Sequence, residues 1–391
     1  MFSKKTLLLC LFAASQMIFQ QTYAQELEES TNKKQVVEEN EITEKDKVYV
    51  LPELSIDAER ATYQALISRP QDEIDSQRMQ SLPTHNPVSM IRSQNSSVTY
   101  GTGLAGATVT PRVRGLPSKY AAVTVDGVSI NTPFWWNSPL SGFPVTRLRK
   151  ITVSNTGSSM IYGQNTAAGA INFVLPTGRD YEGFTLVQEI GGNGTKHQEY
   201  MYGYSEDKSE QLFAIFKDEY DGNRHFDDGS VDNNRNDNTM IYYKGSFDLT
   251  HNWRFEASIM HNDGSVSCGD SWGDFERFDP WKMHLYSYKF IKKFNDTDNL
   301  SLRYSDYLDY SRDVYYTDGS LKTVDTTKAN KFTEVKMKTL EALYNFKAND
   351  KNYINIGIQN QKAKDSHDSF SKDYQNKESD KDRKSTRLNY S

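Results

Sequence analysis

Val113-Arg114-Gly115, then Val123-Thr124-Val125-Asp126-Gly127-Val128, then Ile161-Tyr162-Gly163 leading to Gly169-Ala170-Ile171-Asn172-Phe173: these short runs, in this order, decide how the chain is read. Each reads as a strand ending in a tight turn, because β-branched residues favour a pleated chain while Gly and Asp tolerate turn geometry. From about Tyr181 onward the pattern changes. Apolar and polar residues alternate over long stretches rich in aromatics, as a wall with lipid on one side and water on the other requires. The order implies a gate in front of a membrane barrel.

With 391 residues, 36% hydrophobic and 25% charged, the chain has room for two or three domains and resembles a soluble protein in its averages. Its mean hydropathy is -0.74. A membrane barrel, however, needs only every second residue apolar, and 12% aromatics with 24 Tyr suit interfacial girdles. An aromatic-rich soluble β protein is the bland alternative. The net charge of -6 argues against nucleic acid as a partner, since phosphate binding needs a concentrated basic face.

Residues 1–24 read as a signal peptide: Lys4 and Lys5, the apolar run Leu7 to Ala14, then Thr22-Tyr23-Ala24 before a cut after Ala24. The apolar run is shorter than the roughly 18 to 20 residues of a spanning helix, and no later segment reaches that length. Insertion is therefore expected as a closed barrel, the other structure that pairs all its backbone groups within lipid. Cys10 leaves with the signal peptide and Cys268 stays alone, so the mature chain forms no internal disulfide. Export without disulfides fits a bacterial envelope.

Residues 25–47 are rich in Glu, Asn and Lys, too polar to offset chain entropy by burial, and read as a flexible leader. Residues 48–59 contain a β-prone island, Val48 to Ala58, suited to pairing with a partner's sheet edge. Residues 60–178 read as a compact α+β domain. Within it Arg60 to Ser97 carries short helices and turns, and Pro176 to Asp180 is a linker. Residues 179–391 read as the amino-terminal part of an antiparallel transmembrane β-barrel. There Ile241, Tyr243, Phe247 and Leu249 alternate with Lys244, Ser246 and Asp248, and Trp253, Phe255, Ala257 and Ile259 with Arg254, Glu256 and Ser258. A turn at Thr250-His251-Asn252 joins them as a hairpin.

The same period recurs at Leu300 to Tyr304, Leu340 to Ala348 and Tyr353 to Ile358, while Asp221 to Asn238 and Asp263 to Pro280 read as longer polar loops. About nine strands are legible this way, whereas a plugged transporter barrel has about 22. The expected barrel is thus incomplete. Lys362 to Ser391 reads as charged and strandless, with Lys384 to Ser391 a candidate for read-through sequence.

Taken together, the ordered signatures resemble the plug domain of TonB-dependent outer-membrane receptors, over about Leu51 to Pro176. The residues that match the family's plug motif are Arg114, Gly115, Asp126, Gly127, Tyr162, Gly163, Gly169 and Asn172. The resemblance implies an outer-membrane receptor without enzymatic activity or cofactor, its plug and amino-terminal segment open to the periplasm. Its implied partners are TonB of the inner-membrane energising complex, outer-membrane lipid and a small-molecule chelate. The implied cargo is a scarce ligand, most often a ferric chelate such as a siderophore or haem, with cobalamin or another nutrient as the alternative. It also implies a TonB box at Pro52, Glu53, Leu54, Ser55, Ile56, Asp57 and Ala58, for which a plain plug-entry strand is the other reading and Val48 to Val50 a neighbouring register.

Loops around Phe134, Trp135 and Trp136 face ligand in the family, so these rings are candidates for stacking on a chelate and, equally, for packing on the wall. Lys150-Ile151-Thr152-Val153 and Asn155-Thr156-Gly157 stand where the family usually has Arg-Ile-Glu-Val and Arg-Gly-Pro, which implies a plug-to-barrel lock built differently or more weakly. Ala168 replaces the first Gly of a pair, a small residue that still fits a crowded turn.

Gly101-Thr102-Gly103-Leu104-Ala105-Gly106 matches a dinucleotide fingerprint in spelling, but the β-prone Ala107 to Val113 with Pro111 follows it where a helix is needed. The seven histidines show no metal-ligand spacing, the acidic loop Asp227 to Asp237 lacks EF-hand spacing, and no nucleophile elbow occurs. Two rival classes stand: a passive or structural barrel, and an exported soluble β-rich binding protein.

Overall fold

The computed structural model describes residues 71–82, 87–94, 98–101, 110–117, 120–131, 147–155, 166–192, 194–220, 224–225, 231–232, 236–267, 275–317, 323–325, 331–349, 352–369 and 377–390. The plug begins with β1 (Gln71–Asp75), α1 (Ser76–Gln80) and α2 (Pro87–Gln94). Asp75 caps α1 by accepting from the Arg78 N–H at 2.7 Å, and Pro87 opens α2, where a missing N–H costs nothing. The expected short helices are present, and β1 joins them.

There follow β2 (Val98–Gly101), β3 (Thr110–Val113), β4 (Ala121–Val125), β5 (Val128–Ser129), β6 (Lys150–Ser154) and β7 (Gly169–Val174). Four of them join β1 in one sheet, in the order β1-β6-β7-β4-β5, with β4 and β7 parallel. Every residue of β4 and β7 is buried, as central strands covered on both faces must be. That explains why Val123, Val125, Ile171 and Phe173 run without polar relief except at Thr124 and Asn172. β3 pairs antiparallel with β2, so the strand after the Gly101 to Gly106 run is not a phosphate-cradling helix.

Gly169 is required by its place: it has φ +133°, and a Cβ there would lie 2.0 Å from the Ser154 carbonyl oxygen. Ala168 beside it is fully buried, its N–H donating to the Tyr120 carbonyl at 2.8 Å.

The expected linker is more ordered than a turn. Gly178–Tyr181 is a 3-10 helix, tied by the Thr177 N–H to Asp180 Oδ2 at 2.8 Å. It lies so close to the wall that a Cβ on Gly203 would meet the Tyr181 carbonyl oxygen at 1.8 Å.

The wall is β8 (Gly183–Ile190), β9 (Lys196–Glu206), β10 (Ser209–Tyr220), β13 (Asn236–Thr250), β14 (Trp253–Ser267), β15 (Phe275–Lys293), β16 (Asn299–Tyr316), β17 (Lys331–Asn349), β18 (Asn352–Ser369) and β19 (Lys377–Tyr390). A small ladder, β11 (Arg224–His225) with β12 (Val231–Asp232), stands between β10 and β13. The ten wall strands pair antiparallel in strict chain order. Among the described residues no helix is long and apolar enough to cross a membrane.

Two expectations are corrected, while the ten wall strands among the described residues agree with the roughly nine legible in the sequence. Lys362 to Ser391 is not strandless, because β18 continues to Ser369 and β19 covers Lys377–Tyr390. The polar stretches Asp221 to Asn238 and Asp263 to Pro280 are partly strand, since β13 starts at Asn236, β14 runs to Ser267 and β15 starts at Phe275. One physical cause covers both. β15 to β18 are 18 or 19 residues long, whereas a crossing takes only about 9 to 11. Over residues in excess of a crossing, a strand needs no apolar face.

Burial alternates along β9, β10 and β13. On β13 Asn236, Asn238, Met240 and Tyr242 are buried toward the plug, while Ile241 and Tyr243 face outward. The outer face carries Leu249, Trp253, Phe290, Leu302, Leu340, Ile356 and Ile358, all exposed. An apolar outer band of this kind is what a transmembrane barrel presents to lipid.

Candidate functional site

The site is the seam where the plug meets the inner face of the wall, and its centre is the β4–β5 turn. Asp126 (φ +47°) and Gly127 (φ +75°) are its two central residues, both left-handed, the geometry a two-residue hairpin prefers and Asp-Gly supplies. The backbone N–H of Asp126 donates to the Phe173 carbonyl at 2.9 Å. Its Oδ1 accepts from the Leu175 N–H at 3.1 Å. Asn172, on the neighbouring β7, completes the turn. Its Oδ1 accepts from the Gly127 N–H at 3.0 Å and from Thr124 Oγ1 at 2.7 Å, all within the buried sheet.

With one carboxylate oxygen and its carbonyl still available, Asp126 reaches across to the wall. Lys244 Nζ on β13 donates to Asp126 Oδ2 at 3.0 Å and to the Leu175 carbonyl at 3.1 Å. Arg303 on β16 donates through Nη1 to the Asp126 carbonyl at 3.0 Å and through Nη2 to Glu341 Oε1 on β17 at 2.7 Å. Tyr242, fully buried two positions before Lys244 on the same face of β13, donates its hydroxyl to the Pro176 carbonyl at 3.1 Å. One turn of the plug is thereby held by two wall strands, β13 and β16.

A second crossing lies at the plug's Arg147. Its Nε donates to Glu199 Oε2 on β9. Glu199 is 1% exposed and shares its other oxygen with His197 Nε2 at 2.7 Å, while His197 Nδ1 meets Asp218 Oδ1. Burial acts to lower the Arg147 pKa, but the Glu199 carboxylate outweighs it and the guanidinium is held above its ordinary value. Arg149 lies 3.7 Å from Asp180 in the 3-10 helix. Lys150, by contrast, pairs inside the plug with Glu73 at 3.0 Å.

Of the residues expected from sequence, Asp126, Gly127, Gly169 and Asn172 meet in or beside this sheet. Arg114 and Gly115 close a different turn, at the end of β3, with Arg114 Nη1 near the Asn155 carbonyl at 3.4 Å. Pro52, Glu53, Leu54, Ser55, Ile56, Asp57 and Ala58, together with Phe134, Trp135, Trp136, Tyr162 and Gly163, lie outside the described residues. The partners Lys244, Arg303, Arg147 and Glu199 carried no motif. Their signal in the sequence is a charge on the inward half of a strand's alternation, as in Lys244 between Tyr243 and Gly245.

Among the described residues no group of three or more His, Cys, Asp or Glu side chains converges as a metal site. His261 and His284 stack across β14 and β15 with centroids 4.1 Å apart, and His284 Nε2 lies 2.7 Å from Asp263. They stand on the outer face, away from the plug.

An antiparallel wall of ten strands, joined by charge pairs on one face to a separately folded five-stranded domain, defines the architecture among the described residues. Residues 65–170 match the family described as TonB-dependent Receptor Plug Domain. Solved structures of similar fold include Copper transporter OprC, 13% identical over 78% of this chain and 48% of that one, with a TM-score of 0.62. Also similar are the siderophore receptor PiuA from Acinetobacter baumannii (13% identity, 82% and 53% covered, TM-score 0.57) and the ferric citrate transporter FecA (11%, 82% and 60%, TM-score 0.56). At such identities the likeness is one of fold, and the chain spans roughly half of each of these chains. The chain therefore holds a stretch, residues 65–170, that matches a TonB-dependent receptor plug domain, followed by an antiparallel sheet with the fold of these solved structures.

Proposed function

We propose that this chain works as an energised outer-membrane receptor for a scarce ligand, most often a ferric chelate. The observation that carries the reading is the anchoring of one plug turn by Lys244 and Arg303 from two different wall strands. A passive pore has no use for a stopper held by charged contacts on its inner face, whereas a gated one needs contacts strong enough to seal and few enough to break. Two of the similar structures are named for siderophore and ferric citrate, and one for copper, which supports a metal-bearing cargo.

In this reading the short turns point to the periplasm and ligand meets the plug from the cell exterior. Binding shifts the segment at Pro52 to Ala58 toward a state that TonB captures by strand addition, since a ligand moves an equilibrium only through its differential affinity for two states. Pulling on that segment then breaks the seam and opens a path. Deletion of Leu51 to Ala58 tests it through uptake of radiolabelled ferric chelate by intact cells. Retained surface binding with uptake lost is the expected result, and uptake that persists refutes the energised mechanism in favour of a passive barrel.

A further inference from the structure

At the short-turn end of the wall, a cavity of about 330 Å³ opens beneath the β9–β10 and β13–β14 turns and the end of β15, lined by Lys208, Asp248, His251, Trp253, Arg254 and Lys293 among others. Its charges are unbalanced. Asp248 is engaged by Arg254 Nη1 at 3.4 Å, and Arg254 is further held by Glu256 Oε1 at 3.2 Å and Ser246 Oγ at 2.9 Å. Lys208 and Lys293 have no carboxylate partner among the described residues, and both are exposed. The backbone fixes their relation: the Asp248 N–H donates to the Lys208 carbonyl at 2.7 Å, and the Lys293 N–H to the Asn252 carbonyl at 2.8 Å.

Two unpaired ammonium groups and an exposed imidazole thus converge on one polar recess. Immediately beside it, on the outer face, stand Leu249, Trp253, Phe290 and Phe294, all exposed, with Lys292 Nζ 4.8 Å from the Trp253 ring centroid. An apolar girdle continuous with a cationic recess matches one kind of molecule, an acyl chain joined to an anionic phosphate. We infer that this recess binds the headgroup of an anionic phospholipid in the inner leaflet, with Lys208 and Lys293 on the phosphate and the acyl chains along Leu249, Trp253 and Phe294. The inference rests on the outer-membrane reading above, which sets the short turns at the inner leaflet. Juxtamembrane lysines attract anionic lipid in this way, while a tryptophan marks the headgroup level.

The test is native mass spectrometry of the full chain extracted from outer membranes, titrated with dioleoyl phosphatidylglycerol and, separately, with dioleoyl phosphatidylcholine. Saturable retention of the phosphatidylglycerol over the phosphatidylcholine is expected. The Lys208→Ala, Lys293→Ala double variant is expected to weaken that retention by about an order of magnitude or more, and the Lys208→Arg, Lys293→Arg variant to keep it. Equal retention of both lipids, or an unchanged alanine variant, overturns the site. So does displacement of the lipid by inorganic phosphate alone, since the recess would then recognise a free anion. Heat-modifiable migration of the chain in outer-membrane fractions reports separately on insertion. Loss of lipid selectivity with insertion intact sinks only the headgroup site, and failure of insertion sinks the transporter reading.

Discussion

Asp126 on the plug and Lys244 on the wall, 118 residues apart in sequence, meet at 3.0 Å between Oδ2 and Nζ. The pair is about a fifth exposed on each side. It is thus a charge-assisted hydrogen bond worth on the order of 1.5 to 3 kcal/mol, sheltered enough to count and wet enough to break. Asp126→Asn keeps the left-handed turn, which Asn tolerates, and the bond from the Leu175 N–H, but removes the charge. Faster hydrogen exchange across β4 and β7, with secondary structure unchanged, is the expected outcome. Cells carrying the variant should also become more sensitive to a bulky antibiotic that the plug excludes.

Asn172 serves two donors at once, the Gly127 N–H and Thr124 Oγ1, and is 3% exposed. Asn172→Ala removes the acceptor of the half-buried Gly127 N–H and leaves Thr124 Oγ1 only the Ile171 carbonyl at 3.5 Å, at a cost of about 1 to 3 kcal/mol. Thr124→Val removes one of the two donors, so the double variant should be less destabilised than the sum of the singles. Denaturant unfolding followed by plug proteolysis measures the cycle; strict additivity would show that the two side chains do not share Asn172.

Glu199 is the most deeply buried carboxylate of the seam, set between Arg147 and His197. Removing one partner of such a pair strands the other, so Glu199→Gln should destabilise by about 3 kcal/mol or more. Replacing Arg147 and Glu199 together by Met and Leu should cost less than Glu199→Gln alone. Thermal melts of the three variants in detergent check the order.

Much of this architecture is legible in the sequence. Asp126-Gly127 and Gly169 announce themselves because a two-residue turn and a close approach to Ser154 accept few residue types, and Val123, Ile171 and Phe173 because a doubly covered strand is continuously apolar. Trp253 to Ile259 read as strand for the equally local reason of period two. Lys244, Arg303 and Glu199 stayed hidden because an inward charge on an alternating strand looks the same whether it meets water or a plug. Lys362 and Lys364 misled in the opposite direction. Their charge reads as loop, yet they are outward positions of β18, whose inward neighbour Ala363 is buried. Length in excess of a crossing, which no single window of sequence reveals, made the difference.

The turn between β15 and β16 offers a pH test. Asp298 Oδ1 accepts from the Lys347 N–H at 2.9 Å, and its Oδ2 from Asn295 Nδ2 at 2.8 Å. The Lys347 N–H first, and then the Asn295 amide, hold its carboxyl below the usual aspartate value of 3.8. A depressed folded pKa contributes stability that is full above the unfolded value and is lost as pH falls through the folded one. Protection of the Lys347 amide should therefore persist at pH 5 and weaken below about pH 4, and Asp298→Asn should flatten that dependence. Hydrogen exchange at fixed temperature resolves the two cases.

Zero-length carbodiimide coupling followed by peptide mass spectrometry interrogates the seating of the plug directly, because it joins only a carboxylate and an amine already in contact. An amide between Asp126 and Lys244 is the expected product, abolished by Asp126→Asn. Recovery of Lys244 joined only to carboxylates of the wall, with Asp126 unmodified or coupled elsewhere, would mean that the domain from Gln71 to Leu175 does not sit against the inner face of the sheet.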